Sequence, residues 1–358
     1  MFVVVRKLSL GVGLVVCCSG LLLGWDYLEH RARHDKPRVA IFQQASTPVL
    51  DDCVRGMIEG LESAGFKDGE NLELSHYNAE NDNSMANAIA HQVTDGSFDL
   101  VLTSSTPALQ IVAAANESGR VLQVFGAVAD PYAAGVGLDR NDPLHHPRNL
   151  VGYGTLLPVD STFQLARRLY PGLRKVGVAH NPAETNSRVF VTMARETCQK
   201  LGIELVEAPV ENSASVKEAI DSVIARGAEA IWIGGDNTVS SVTDTVVSTA
   251  KRGRIPVFSM LPGGKPDRGT LFDLGVDFVQ VGRMSGELAG RLLKGADPTK
   301  IPVGDVIDQV SKRLTFNATV LKDLKGPWQL PPSVREQVDI LVDENGIHQL
   351  TPTKKLMK

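Results

Sequence analysis

The sequence predicts an α/β fold of two doubly wound parallel-sheet lobes joined by a hinge. Short apolar runs alternate with amphipathic stretches from Val39 to Met260. The alternation is interrupted once, by a stretch at 130–157 rich in Gly and Pro. At 358 residues the chain also exceeds the usual size of one small domain. A strand covered on both faces reads as an unbroken apolar run, and strands alternating with helices of ten or more residues imply right-handed crossovers and parallel pairing.

Taken in order, Val39 to Phe42 is the first buried strand. Leu50, Val54, Met57, Leu61 and Ala64 then recur at four- and three-residue steps, which predicts a helix over 49–64, closed by Gly65. Strands follow at 72–77, 98–102 and 121–125, with helices at 85–93 and 107–115 between them. A polar insert, Asp139 to Arg148, falls within the irregular stretch. Beyond it the spacing predicts helices at 160–169, 187–201, 215–226 and 240–251. Strands at 175–180, 204–207, 230–234 and 256–260 alternate with them.

The first residues differ from the rest. Arg6 and Lys7 precede an uncharged run from Leu8 to Trp25, the layout of a signal anchor or a signal peptide. The run is near the shortest that spans a bilayer, which needs about 20 residues. Trp25 and Tyr27 at its exit suit the membrane interface. Either way the globular part is expected outside the cytoplasm. A lipidated cysteine at Cys17 or Cys18 is a third route, for which Val16 is a poor preceding residue. The four cysteines do not form a disulfide framework: two lie in the apolar run, and Cys53 and Cys198 fall on helices of different lobes. A net charge of −4 gives no basic footprint and argues against a nucleic-acid partner.

In open parallel sheets ligands bind beyond the carboxyl ends of the strands, so the residues after each strand are the candidates. After Leu102 come Thr103, Ser104, Ser105 and Thr106, hydroxyls at a helix start where exposed N–H groups suit a carboxylate. Asp130 follows the next strand. In the second half, Glu184 and Asn186 follow one strand, and Asp236 and Asn237 another. Acids there suit an ammonium group and amides suit polar groups. A zwitterion satisfies both ends, so an amino acid or a relative of one is the expected ligand. No catalytic constellation accompanies these residues. There is no Gly-x-Ser-x-Gly elbow, no phosphate-binding loop, and no ligand spacing that would make His145 and His146 a metal site. The chain is therefore read as a non-enzyme without cofactor or metal.

These loops resemble those of a family of ABC-transporter substrate-binding proteins that includes tryptophan- and tyrosine-binding lipoproteins. The resemblance rests on Leu50 and Asp51, Thr106 to Ala108, Ala129 to Pro131, Asn181 to Ser187 and Asp236 to Thr238. Gly282 and Arg283 open a late helix ending at Leu292 to Gly295, and Asn317 precedes a tail with Pro331 and Pro332. The resemblance covers about 39–342. It implies the type I periplasmic-binding-protein fold and a cleft that closes on a small solute for delivery to a permease and an ATPase. It places Thr106, Glu184, Asn186, Asp236 and Asn237 around the ligand, with Ser104, Ser105 and Asp130 near them. It also implies lobes of 37–155 plus 276–305 and 156–275 plus 306–330, with 1–36 as anchor or signal and 331–358 as a tail. One departure bears on the ligand: Ser46, Thr47 and Pro48 stand where relatives commonly have Glu-His-Pro. The alternative function is a membrane-tethered ligand sensor built on the same lobes.

Overall fold

The computed structural model describes residues 36–262 and 265–352; the N-terminal apolar run and its connector lie outside them. Two sheets dominate. The first contains β1 (Arg38–Gln43), β2 (Glu73–Asn78), β3 (Leu100–Ser104), β4 (Leu122–Val128), β5 (Leu150–Gly154) and a two-residue strand, Gly304–Asp305. All its pairings are parallel. Its helices include α1 (Pro48–Ser63), α2 (Asn83–Val93) and α3 (Thr106–Ala115).

The chain then crosses to the second lobe. There α4 (Val159–Leu169), β6 (Lys175–His180), α5 (Thr185–Leu201), β7 (Glu204–Pro209) and α6 (Val216–Ala225) follow. Next come β8 (Ala230–Ile233), α7 (Asn237–Ser240), α8 (Thr243–Gly253), β9 (Val257–Ser259) and β10 (Phe272–Val276). An aromatic cluster seals this core: Phe163 of α4 meets Trp232 and Phe258 edge-on, and Phe258 stacks on Phe272 at 5.1 Å.

The helix α9 (Phe278–Leu293) returns to the first lobe. It packs along α1, and its Ser285 Oγ donates to the carbonyl of Phe125 at 3.3 Å. That contact is possible because glycines line it. A Cβ at Gly282 or Gly286 would fall inside the van der Waals envelope of the Cys53 or Met57 carbonyl on α1. The chain crosses back after Asp305 into Lys312–Asn317, which pairs antiparallel with β10.

Residues 331–358, expected as a tail, are partly sheet instead. Ile340–Asp343 and Gly346–Gln349 form a hairpin that extends the second sheet. The predicted helix at 240–251 starts instead at Thr243, because the chain turns at Ser241 and Val242 after the short α7. Among the described residues, no helix is long and apolar enough to cross a membrane.

Candidate functional site

The carboxyl ends of both sheets face each other across one cleft. On the first wall, Gln43 at the end of β1 holds the next loop. Its amide donates to the Ala45 carbonyl at 3.1 Å and to Asp51 at 2.9 Å, and His76 Nε2 meets Gln43 Oε1 at 2.9 Å. Ser46 adds two bonds to Asp51. Thr47 can then cap α1 by accepting from the Leu50 N–H, which brings Pro48, Val49 and Leu50 to the cleft.

Beside it, Ser105 stands at φ 114°, a conformation that side chains rarely adopt. Its Oγ accepts from the Ala108 N–H and caps α3. Ala127 is a second such residue, at φ 52°. It sits where β4 slips in register against β5, between Phe125 and Val128. Thr106 joins the two segments, its Oγ1 accepting from the Ala129 N–H at 3.2 Å. Two strained backbone positions on one wall are the sort of local cost that surrounding structure must support, and they concentrate at binding sites.

On the second wall, Glu184 is the hub. Its Oε1 accepts from the Thr238 N–H at 2.9 Å and the Thr238 hydroxyl at 2.6 Å. Its Oε2 accepts from the Asn237 N–H at 2.9 Å and the Asn186 amide at 3.0 Å. A carboxylate offers roughly four lone-pair sites, and all are filled. Asp236 caps α7 by accepting from the Val239 N–H at 2.8 Å, and also takes the Asn181 N–H at 2.5 Å. Burial, and next the Glu184 charge beside it, push the Asp236 carboxyl up to about 7.

The cleft encloses about 590 Å³ of non-atom space, its open mouth included. Phe190, Phe278, Leu157 and Leu261 form apolar parts of its lining. Against them stand Thr155 Oγ1, Asn186 Oδ1, Asn237 Nδ2, Ser240 Oγ and Arg268 Nε, each buried without a hydrogen-bond partner. Buried polar groups are rarely left unpaired, and here five, Thr155 from the first lobe and four from the second, open on one cleft.

Of the residues the sequence pointed to, Ser105, Thr106, Asn186 and Asn237 line this cleft together. Ser104 lies beneath it, fully buried. Asp130 faces elsewhere: it accepts from the Tyr132 and Ala133 N–H groups and pairs with Arg140 of the polar insert. Glu184 and Asp236 are set behind the lining rather than in it. Their oxygens accept from the first N–H groups of α7, from the Asn181 N–H and from the Asn186 and Thr238 side chains. Sequence reasoning missed Arg268, Thr155, Ser240 and the two phenylalanines. Arg268 lies in the loop that follows β9, so the strand-end rule already pointed to its neighbourhood. A lone arginine among Pro, Gly, Lys and Asp there reads as an ordinary polar turn.

Two lobes of parallel sheet, crossed three times by the chain and meeting at a polar-and-apolar cleft, define a solute-binding protein. Residues 38–326 match the family described as ABC transporter substrate binding protein, and the chain belongs to that family. The family is extracytoplasmic and its members are not enzymes. A tyrosine-binding protein of Clostridioides difficile is 31% identical over 80% of this chain and 80% of its own length. Among solved structures, a conserved domain protein from Vibrio cholerae superposes with a TM-score of 0.78 at 27% identity. That superposition covers 85% of this chain and 98% of the other. An ABC domain from Streptococcus pneumonia in complex with L-Trp gives 0.77 at 24% identity, covering 86% and 100%. The ligand-free, open form of an adhesive substrate-binding protein from Clostridium difficile gives 0.58 at 29% identity, covering 83% and 96%.

Proposed function

We propose that this chain is the receptor of an ABC importer and captures an amino acid or a close relative of one between its lobes. The observation that carries the reading is the set of five unpaired buried polar atoms beside apolar side chains in one cleft. Such a surface suits a ligand with a polar head and an apolar body. Tyrosine and L-Trp, the ligands named for two relatives, have that character. Ser105, Thr106, Asn186, Asn237 and Arg268 are the proposed contacts. Ser104 supports the first wall from behind, Asp130 holds the loop that leaves it toward Arg140, and Glu184 and Asp236 hold the second wall. Delivery to permease and ATPase subunits follows from the family, and the apolar run from Leu8 to Trp25 is the proposed tether to the membrane.

Mass spectrometry of small molecules that copurify with the protein tests the reading. An amino acid or a derivative released on denaturation is the expected result. A sugar or a nucleotide recovered in stoichiometric amount would overturn it.

A further inference from the structure

We propose that the cleft selects its ligand by a carboxylate and an apolar body, and that it does not require an ammonium group. The inference rests on the reading of the cleft as an amino-acid-type site and specifies which end of the ligand is recognised.

The electrostatics of the lining have one sign. First-turn residues of four long helices border the cleft: Pro48 of α1, Thr106 of α3, Asn186 of α5 and Phe278 of α9. A helix N-terminus carries roughly half a positive charge and favours anions. Arg268 adds a cation, whose charge also acts on the buried Asp273 carboxyl and whose Nε is left without a partner. Among the described lining residues there is no Asp or Glu. Three buried acids stand close behind the lining and each is engaged: Glu184 with four donors, Asp236 with two backbone N–H groups, and Asp273 with the Ser259 and Thr270 hydroxyls.

The unpaired atoms divide the same way. Arg268 Nε and Asn237 Nδ2 can only donate, which suits carboxylate oxygens. The acceptors left for an ammonium are neutral: Asn186 Oδ1 and the hydroxyls of Thr155 and Ser240. Asn186 cannot turn its amide without losing bonds to Glu184 and to the Gly235 carbonyl at 2.6 Å. An ammonium there leaves water without a counter-charge, which is costly. A carboxylate meets both a cation and oriented donors.

Calorimetric titration at neutral pH separates the two ends. The probes are L-tyrosine and L-tryptophan, their des-amino analogues 3-(4-hydroxyphenyl)propionate and indole-3-propionate, and the amines tyramine and tryptamine. The des-amino acids are expected within about tenfold of the amino acids, and the amines at least about thirtyfold weaker, the loss that follows when a buried charge is left unpaired. R268Q should weaken both kinds of acid by a similar factor, and R268K should restore part of it, with melting curves confirming that each variant folds. If the amines bind like the amino acids, or the des-amino acids fall away, ammonium recognition is established and this inference fails while the amino-acid reading stands. Leucine, 4-methylpentanoate and 3-methylbutylamine extend the comparison to smaller apolar bodies. Silence from both sets overturns the reading and this inference together.

Discussion

Glu184 and Asp236 lie side by side with their oxygens turned toward backbone N–H groups, so both brace the start of α7 on the cleft wall. The arrangement has a pH signature. Burial, and next the Glu184 charge, push the Asp236 carboxyl up to about 7 from an ordinary 3.8. A raised carboxyl pKa means the folded state holds its proton longer than the unfolded state does. Its contribution to stability is complete below about 4 and is lost as pH rises through about 7. The unfolding free energy of the parent minus that of Asp236→Asn, followed by denaturant titration, should therefore fall between pH 4 and pH 7. A difference that stays flat across that range would remove the proton from Asp236. The sequence made the strand-end hydroxyls and amides legible because their position after a strand fixes where they point. It could not separate a ligand-facing acid from a capping one, since Asp before Asn and Thr at a helix start is also a plain capping pattern.

Among elements, the α1 and α9 pair binds sequence ends that are far apart. Gly56 and Gly60 on α1 face Gly282 and Gly286 on α9, and at each a Cβ would meet the partner's backbone. Gly286→Ala would place its methyl carbon within 2.9 Å of the Gly60 Cα, so the helices must separate. The expected cost is about 1–3 kcal/mol, as for overpacking in a rigid core. The check is chemical denaturation, in which an unchanged midpoint would mean that the crossing yields freely. The alternating helices and strands of both lobes were readable because each has its own apolar period. The strands β5 and β10 were not, because glycine interrupts their apolar runs at Gly152 and Gly275. The added hairpin at 340–349 is short and half-exposed, which leaves almost no pattern to read.

Across the whole molecule, the lobes are closed on each other. Asn81 of the first lobe donates to Thr238 Oγ1 of the second at 3.2 Å, and Gln110 donates to Thr185 Oγ1 at 3.2 Å. The lower TM-score against the open relative agrees with that state, although its sequence is 29% identical. Asn81 is held at φ 61°, next to Glu80 at φ 48°, so the latch is presented by a sharply turned loop. Thr238 also donates to Glu184, which links the latch to the cleft wall. Neutral hydrogen bonds contribute about 0.5–1.5 kcal/mol each, so losing both should shift the closing equilibrium about 5- to 150-fold. Single-molecule energy transfer between dyes on the two lobes measures this in an Asn81→Ala, Gln110→Ala double variant. The open population should grow, and an unchanged distribution would show that the latch carries no energy. The triple crossing has a consequence in time rather than space. The first lobe is incomplete until α9 and the strand at 304–305 exist, so a nascent chain that has emerged through its first two hundred residues still lacks the helix that covers α1. Contacts so distant in sequence slow folding, and the polypeptide stays unfinished, and pliable, for most of its own synthesis.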